Sequence, residues 1–143
     1  MRSGWGEIVK LHLAGSAAHF ARVTAVLDRE GWRSRNLIDL IFASLQVKKD
    51  VIEVDEFDNG IRRTLNYGHT FGHAIEAGLG FGEWLHGEAV GCGMVMAAHL
   101  SERLGLVDAA FVRRLSHIIE RAGLPTLGPA LGVDTYMHHM RLD

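Results

Sequence analysis

Both prolines of this 143-residue chain, Pro125 and Pro129, come late. No proline therefore interrupts a helix in the first ~120 residues, and glycine does the punctuation. The apolar pattern before them is helical. Phe20, Val23, Val26 and Leu27 recur at helical spacing within residues 17–29, and Gly31 follows as a stop. Ser34 or Asn36 is placed to cap a second helix. Leu37, Ile38, Ile41, Phe42, Leu45 and Val47 carry its apolar stripe towards Val54. DEFDNG, residues 55–60, reads as an acidic turn. The pattern then predicts one helix from Ile61 to about Ala77 and a loop through Gly78, Gly80 and Gly82. An almost wholly apolar helix follows over residues 85–104 and belongs in a core. Asp108 is an N-cap for a helix over 109–122, which Gly123-Leu124-Pro125 stops, and a last short helix begins near Asp134. No internal repeat and no alternating strand pattern of useful length interrupts this series, so the expected fold class is all-α.

Composition sets the outer bounds. Hydrophobic residues are 48% and charged residues 22%, a globular balance at a common single-domain size. The formal net charge of -2 gives no general basic field, which argues against nucleic acid or an anionic membrane as partner. One cysteine, Cys92, excludes a disulfide framework within the chain and a cysteine-rich zinc site. A reducing, cytoplasmic setting fits. MRSGWGEIVK has no apolar signal core, and no run approaches ~18 apolar residues.

Nine histidines are many for this length, and three lie between positions 69 and 86. In LNYGHTFGHAIE, residues 65–76, His69 and His73 are four apart and so share a helix face. A continuous helix would extend that face through Arg62, Asn66 and Glu76. Such a row is a set of metal ligands, a set of contacts for an anion, or a solvated polar face; as a metal site, spacing alone would put both His69 and His73 on the ion. Gly68 and Gly72 beside the histidines leave room for a ligand or a second backbone. His86 opens the apolar helix in LHGEAVGCGM, so its ring has a defined position. Histidine with carboxylate suits a catalytic zinc with one open coordination position. The sequence HTFGH is not HExxH, so the metalloprotease reading lacks its general base.

Three motifs in order resemble the 3-dehydroquinate synthase family. KKDVIEVDEFDNGIRRTLNYGHTFGHAIE, residues 48–76, is similar to that family's central signature. WLHGEAVGCGM, residues 84–94, resembles its second, and SGWGEIVK, residues 3–10, its third. The resemblance spans essentially the whole chain. It implies the α-helical C-terminal domain of a two-domain enzyme, truncated at both ends, over residues 1–143. The N-terminal α/β domain that binds NAD would be absent, and with it most of the cofactor-binding residues. Asp143 would be the first residue of a family Asp-Lys-Lys segment.

The resemblance also implies roles. Glu7, His69 and His86 would be the ligands of one Zn2+ or Co2+. Lys48 and Arg62 would hold a substrate carboxylate, Asn66 and His73 would face a phosphate, and Lys10 would reach a substrate oxygen. Lys10, Lys48 and His73 would be the catalytic positions. The activity implied is a phosphate-eliminating, NAD- and metal-dependent lyase of the shikimate pathway of aromatic amino acid biosynthesis. It converts 3-deoxy-arabino-heptulosonate 7-phosphate, a sugar acid phosphate, to 3-dehydroquinate, and the full-length enzyme would be a homodimer. Asp58 stands where the family usually has glutamate, and KLHLAGSAAHF departs from its usual Lys-Tyr-Gly continuation. These departures leave room for a sister sugar phosphate cyclase making 2-deoxy-scyllo-inosose or a valiolone. A non-catalytic metal-binding helical module is the alternative of a different class; Lys10, Lys48 and Arg62 argue against it, because metal storage needs no anion clamp.

Overall fold

A computed structural model describes residues 2–80 and 82–143. Seven α-helices follow one another among these residues: α1 (Arg2–Gly15), α2 (Ala17–Glu30), α3 (Leu37–Val54), α4 (His69–Leu79), α5 (His86–Arg103), α6 (Ala109–Arg121) and α7 (Val133–Met140). Short 3₁₀ turns lie at Gly31–Arg33 and Ile61–Asn66. The all-α expectation holds, and the described residues contain no strand. Among them, no helix is long and apolar enough to cross a membrane.

Helix α5 is the axle. It packs on α1, α4 and α6, while α1 also meets α2 and α3, and α7 covers α4. Its near-continuous apolar sequence follows from this position: Ala89, Val90, Cys92, Met94 and Ala98 are all fully buried. The main core gathers Trp5 and Val9 of α1, Leu27 of α2, Met94 of α5, and Leu115 and Ile119 of α6. Trp5 is fully buried, yet its indole N–H is satisfied by the Trp32 carbonyl at 2.9 Å. Ser16 caps α2 through the His19 N–H, Asp108 caps α6 through the Phe111 N–H, and Glu88 reaches back to the Leu85 N–H at the start of α5.

Four expectations need correction. Residues 61–77 are not one helix: a 3₁₀ turn ends at Asn66, the chain turns through Tyr67 and Gly68, and α4 starts afresh at His69. Gly68 has φ +82°, a left-handed conformation that glycine adopts without strain. Gly78 lies inside α4, not in the loop. Asn36 sits at the start of α3 without a side-chain cap; its amide group donates to Glu30 and its N–H to the Ser34 hydroxyl. The stripe predicted to be buried on α3 also faces outward at Ile38 (80% exposed), Phe42 and Leu45. The inward face is Leu40, Ala43, Ser44, Val47 and Val51, because that face meets α1. Helix α3 is apolar on most of its circumference, so pattern alone does not say which side turns in.

Two buried groups give predictions. Cys92 is fully buried between α4 and α5, and burial pushes its thiol up to about 11. It is a small hydrophobe. The native protein is expected to leave Cys92 unlabelled by a chromogenic disulfide reagent at pH 8, with labelling appearing only on denaturation. His12 is also fully buried. Its Nδ1 lies 2.9 Å from the Ile8 carbonyl and its Nε2 has no partner. Burial first, with His19 and Arg22 adding to it, holds its pKa below the ordinary value; the Ile8 carbonyl pulls the other way. The unfolded chain therefore takes up a proton, near pH ~6.5, that the folded chain refuses. The stability His12 contributes is present above that pH and is lost as pH falls through the lowered folded value. Urea midpoints between pH 7.5 and 5 are expected to fall less steeply for His12→Leu than for the parent.

Candidate metal and anion site

Glu7 on α1, His69 at the start of α4 and His86 at the start of α5 converge. Their ligand atoms all lie within 4.8 Å of one another. Glu7 Oε1 is 3.8 Å from His69 Nε2 and 3.9 Å from His86 Nε2. Three different helices supply them, and backbone contact brings those helices together. A Cβ added to Gly6 would lie 2.3 Å from the Gly87 carbonyl oxygen, and one added to Gly87 would lie 1.7 Å from the Ser3 carbonyl oxygen. Helices α1 and α5 therefore touch at the residues next to Glu7 and His86, where Gly87 N–H also donates to the Ser3 hydroxyl at 3.0 Å. The approach of α4 to α5 is built the same way. A Cβ on Gly93 would sit 2.1 Å from the Gly68 carbonyl oxygen, beside His69.

A cleft of about 340 Å³ opens beside these ligands. Lys10, Lys48, Arg62 and Asn66 line it together with Glu7, Asp58 and His69. Lys10 is 4% exposed; its ammonium sits 2.8 and 3.0 Å from the two Glu7 oxygens and 3.5 Å from His69 Nε2. A buried lysine needs such a partner. Burial, followed by the nearby Lys10 charge, lowers the pKa of His69 against the opposing pull of Glu7. The lowered pKa favours the neutral imidazole, the form a metal ligand requires.

Arg62 reaches the cleft by a different route from the one its spacing suggested. It is not two turns back on the helix of His69, since the chain breaks at Gly68. It stands on the 3₁₀ turn, which Asp55 organises: the Asp55 carboxylate accepts from the N–H groups of Asn59, Gly60 and Arg62 at 2.8, 2.8 and 3.0 Å. These bonds, led by that of Arg62, hold its pKa below the usual carboxylate range. The guanidinium donates to the Glu56 carbonyl at 2.6 Å. Asp58 has φ +57°, a left-handed conformation that aspartate tolerates better than most residues. Sequence reasoning saw only an acidic turn here and missed Asp55; an aspartate followed within five residues by Asn-Gly was the available signal.

His73 stands apart. Its Nδ1 bonds Asp143 Oδ1 at 2.6 Å, and it lines a separate recess with Glu76, His139 and Leu142. Lys49, one residue from Lys48, pairs with Glu53 on the surface of α3. A larger cleft, about 610 Å³, lies near Asn66 and Tyr67, but Leu13, Phe71, Ala97, Leu100 and Phe111 give it a mainly apolar lining. The chemistry of the lining, not the volume, selects the smaller cleft.

Two imidazoles and a carboxylate beside a cationic cleft form, on this helical domain, a group that could hold a metal ion next to an anion. The chain belongs to the 3-dehydroquinate synthase C-terminal family, whose model matches residues 4–143. Its fold is similar to that of 2-epi-5-epi-valiolone synthase (ValA) from Streptomyces hygroscopicus subsp. jinggangensis 5008, solved with NAD+ and Zn2+ bound, at a TM-score of 0.80 and 23% identity. The match covers 98% of this chain and 39% of that one, so the present chain spans well under half the length of that enzyme.

Proposed function

We propose that this chain is the metal- and substrate-binding part of a 3-dehydroquinate synthase, a lyase that eliminates phosphate from 3-deoxy-arabino-heptulosonate 7-phosphate with NAD as recycled cofactor. One observation carries the reading: Glu7, His69 and His86 converge next to a cleft that three cationic side chains enter. The two-histidine, one-carboxylate set fits Zn2+ with an open position, and Co2+ tolerates the same donors. These three residues would hold the ion, which when bound supplies Lewis acidity at the hydroxyl being oxidised. Lys48 and Arg62 hold the substrate carboxylate, Arg62 with its fork of N–H donors. Lys10 presents its ammonium between the ligands and the cleft, within reach of a substrate oxygen. Asn66 donates to the phosphate side. His73, beside His69 and His86 and held by Asp143, faces the phosphate from outside the cleft lining. Oxidation itself is assigned to NAD bound on a further domain, as the valiolone synthase also binds NAD+.

The sister cyclase reading rests on Asp58, which lines the cleft one methylene short of the family glutamate. The two readings differ in whether the substrate carries a carboxylate. Titrating the zinc-loaded chain with heptulosonate phosphate, and with a seven-carbon sugar phosphate that lacks the carboxylate, separates them. The acid is expected to bind at least ~10-fold more tightly, the value of one charge-assisted contact. Equal affinity would favour the sister cyclase. In the same mixture with NAD, the 143-residue chain alone is expected to release no phosphate, because the described residues hold no strand–glycine-rich turn–helix unit for a dinucleotide. Release at an enzyme-like rate would overturn the division of labour.

A further inference from the structure

The His86 ring lies between two carboxylates. Its Nε2 is 3.9 Å from Glu7 Oε1, and its Nδ1 is 3.3 Å from both oxygens of Glu76. A neutral imidazole has one N–H and one lone pair, so the two nitrogens cannot serve both carboxylates in the same way. We propose that Glu76 is a positioning residue that accepts the Nδ1–H of His86 and thereby aims the Nε2 lone pair at the metal position. This inference rests on the metal reading of Glu7, His69 and His86 and deepens it.

Two observations make Glu76 the group that does this. His86 is the first residue of α5 and its side chain is 47% exposed, so packing does not lock the ring. The Glu76 side chain is only 15% exposed, held on the side of α4 that faces His86. The contrast with His69 is informative. Its side chain is only 14% exposed, and no carboxylate bonds its Nδ1. Of the two histidines, the exposed one carries the carboxylate. A carboxylate on the far nitrogen also makes the ligating nitrogen more basic.

The same residues admit one competing arrangement. His73, Glu76 and His86 also bring ligand atoms within 4.8 Å of one another. A second ion there would need Nδ1 of His86, which then could not keep its proton while Nε2 binds the first. The hydrogen-bonded tautomer needs no such deprotonation, so a single ion is expected.

The test is zinc binding by the 143-residue chain, measured by competition with a chromophoric chelator, with long-range ¹⁵N–¹H spectra of the zinc-free protein reading the tautomer of His86. The parent is expected to bind one zinc and to carry the His86 proton on Nδ1. Glu76→Leu is expected to lose about 10- to 100-fold in affinity, the range for an outer partner of a ligating histidine, and to show a mixed His86 tautomer. Glu76→Gln keeps an acceptor oxygen without the charge, so it should retain the tautomer and lose only a few-fold. Circular dichroism shows whether each variant is folded. Three results would overturn the proposal: parental affinity in Glu76→Leu, a parental His86 proton on Nε2, or two zinc ions in the parent with one lost in Glu76→Leu. If instead the parent binds no zinc, or His69→Ala binds it as well as the parent does, the metal reading itself fails.

Discussion

The Gly87→Ala variant is expected to lose zinc binding and about 10 °C of melting temperature, while Gly4→Ala keeps both. The reason is the crossing of α1 and α5. At Gly87 a Cβ would stand 1.7 Å from the Ser3 carbonyl oxygen and 2.5 Å from its carbon. Both are backbone atoms, so no rotamer change relieves the clash and the helices must part. Overpacking of this kind costs about 3 kcal/mol or more, and at this chain length each kcal/mol is worth roughly 3 °C. The separation acts directly on the ligands, because Glu7 and His86 are the neighbours of the two touching glycines. A shift of about 1 Å would spoil a coordination sphere that tolerates only ~0.2 Å. Gly4 lies on the same helix, three residues before Glu7, with nothing within 4 Å of its would-be Cβ. Alanine there should be neutral or slightly stabilising through helix propensity. Differential scanning fluorimetry with and without zinc reads both effects. A Gly87→Ala protein that melts and binds zinc like the parent would show that the crossing is not what sets the ligand geometry.

How far the sequence carried the fold follows from the same contacts. Helix existence, the cap at Asp108 and the buried α5 were legible because each depends on residues within a few positions of one another. The break at Gly68 was not. Gly68 stands inside an unbroken helical pattern, and its need for glycine comes from a φ of +82° and from Met94 of α5, which a Cβ there would meet at 2.7 Å. With that break hidden, Arg62 and Asn66 were placed on a helix they do not share with His69, although they do line the cleft with it. The sequence motifs named the residues that converge; periodicity misjudged how they get there. The pairing of His73 with Asp143 spans 70 positions and has no local signature. Glu76 was visible as one more polar residue on the histidine face, and only the placement of α5 shows which ring it holds.

The second large effect separates metal from substrate. His69→Ala is expected to lower zinc affinity about a thousandfold while leaving the fold intact. Zinc sites of full ligand count release ~10–16 kcal/mol, so one of three protein ligands carries about 4 kcal/mol, and that is about a thousandfold. Stability should change little: the imidazole removed has a buried Nδ1 without a partner, and the Lys10–Glu7 pair that fills its neighbourhood does not depend on it. Arg62→Ala is expected to do the reverse. Arg62 contacts no ligand residue; its guanidinium is engaged by the Glu56 carbonyl and its backbone by Asp55, on a turn that ends before Gly68. Zinc affinity should therefore stay within twofold of the parent, while affinity for the sugar acid phosphate falls about 10- to 100-fold with the loss of a charge-assisted contact of ~1.5–3 kcal/mol. Isothermal titration of both variants, first with zinc and then with heptulosonate phosphate at saturating zinc, decides the matter. Loss of zinc in Arg62→Ala would place that side chain in the metal centre. Undiminished substrate affinity would remove it from the clamp and leave Lys48 and Lys10 as the anion's remaining cationic partners in the cleft.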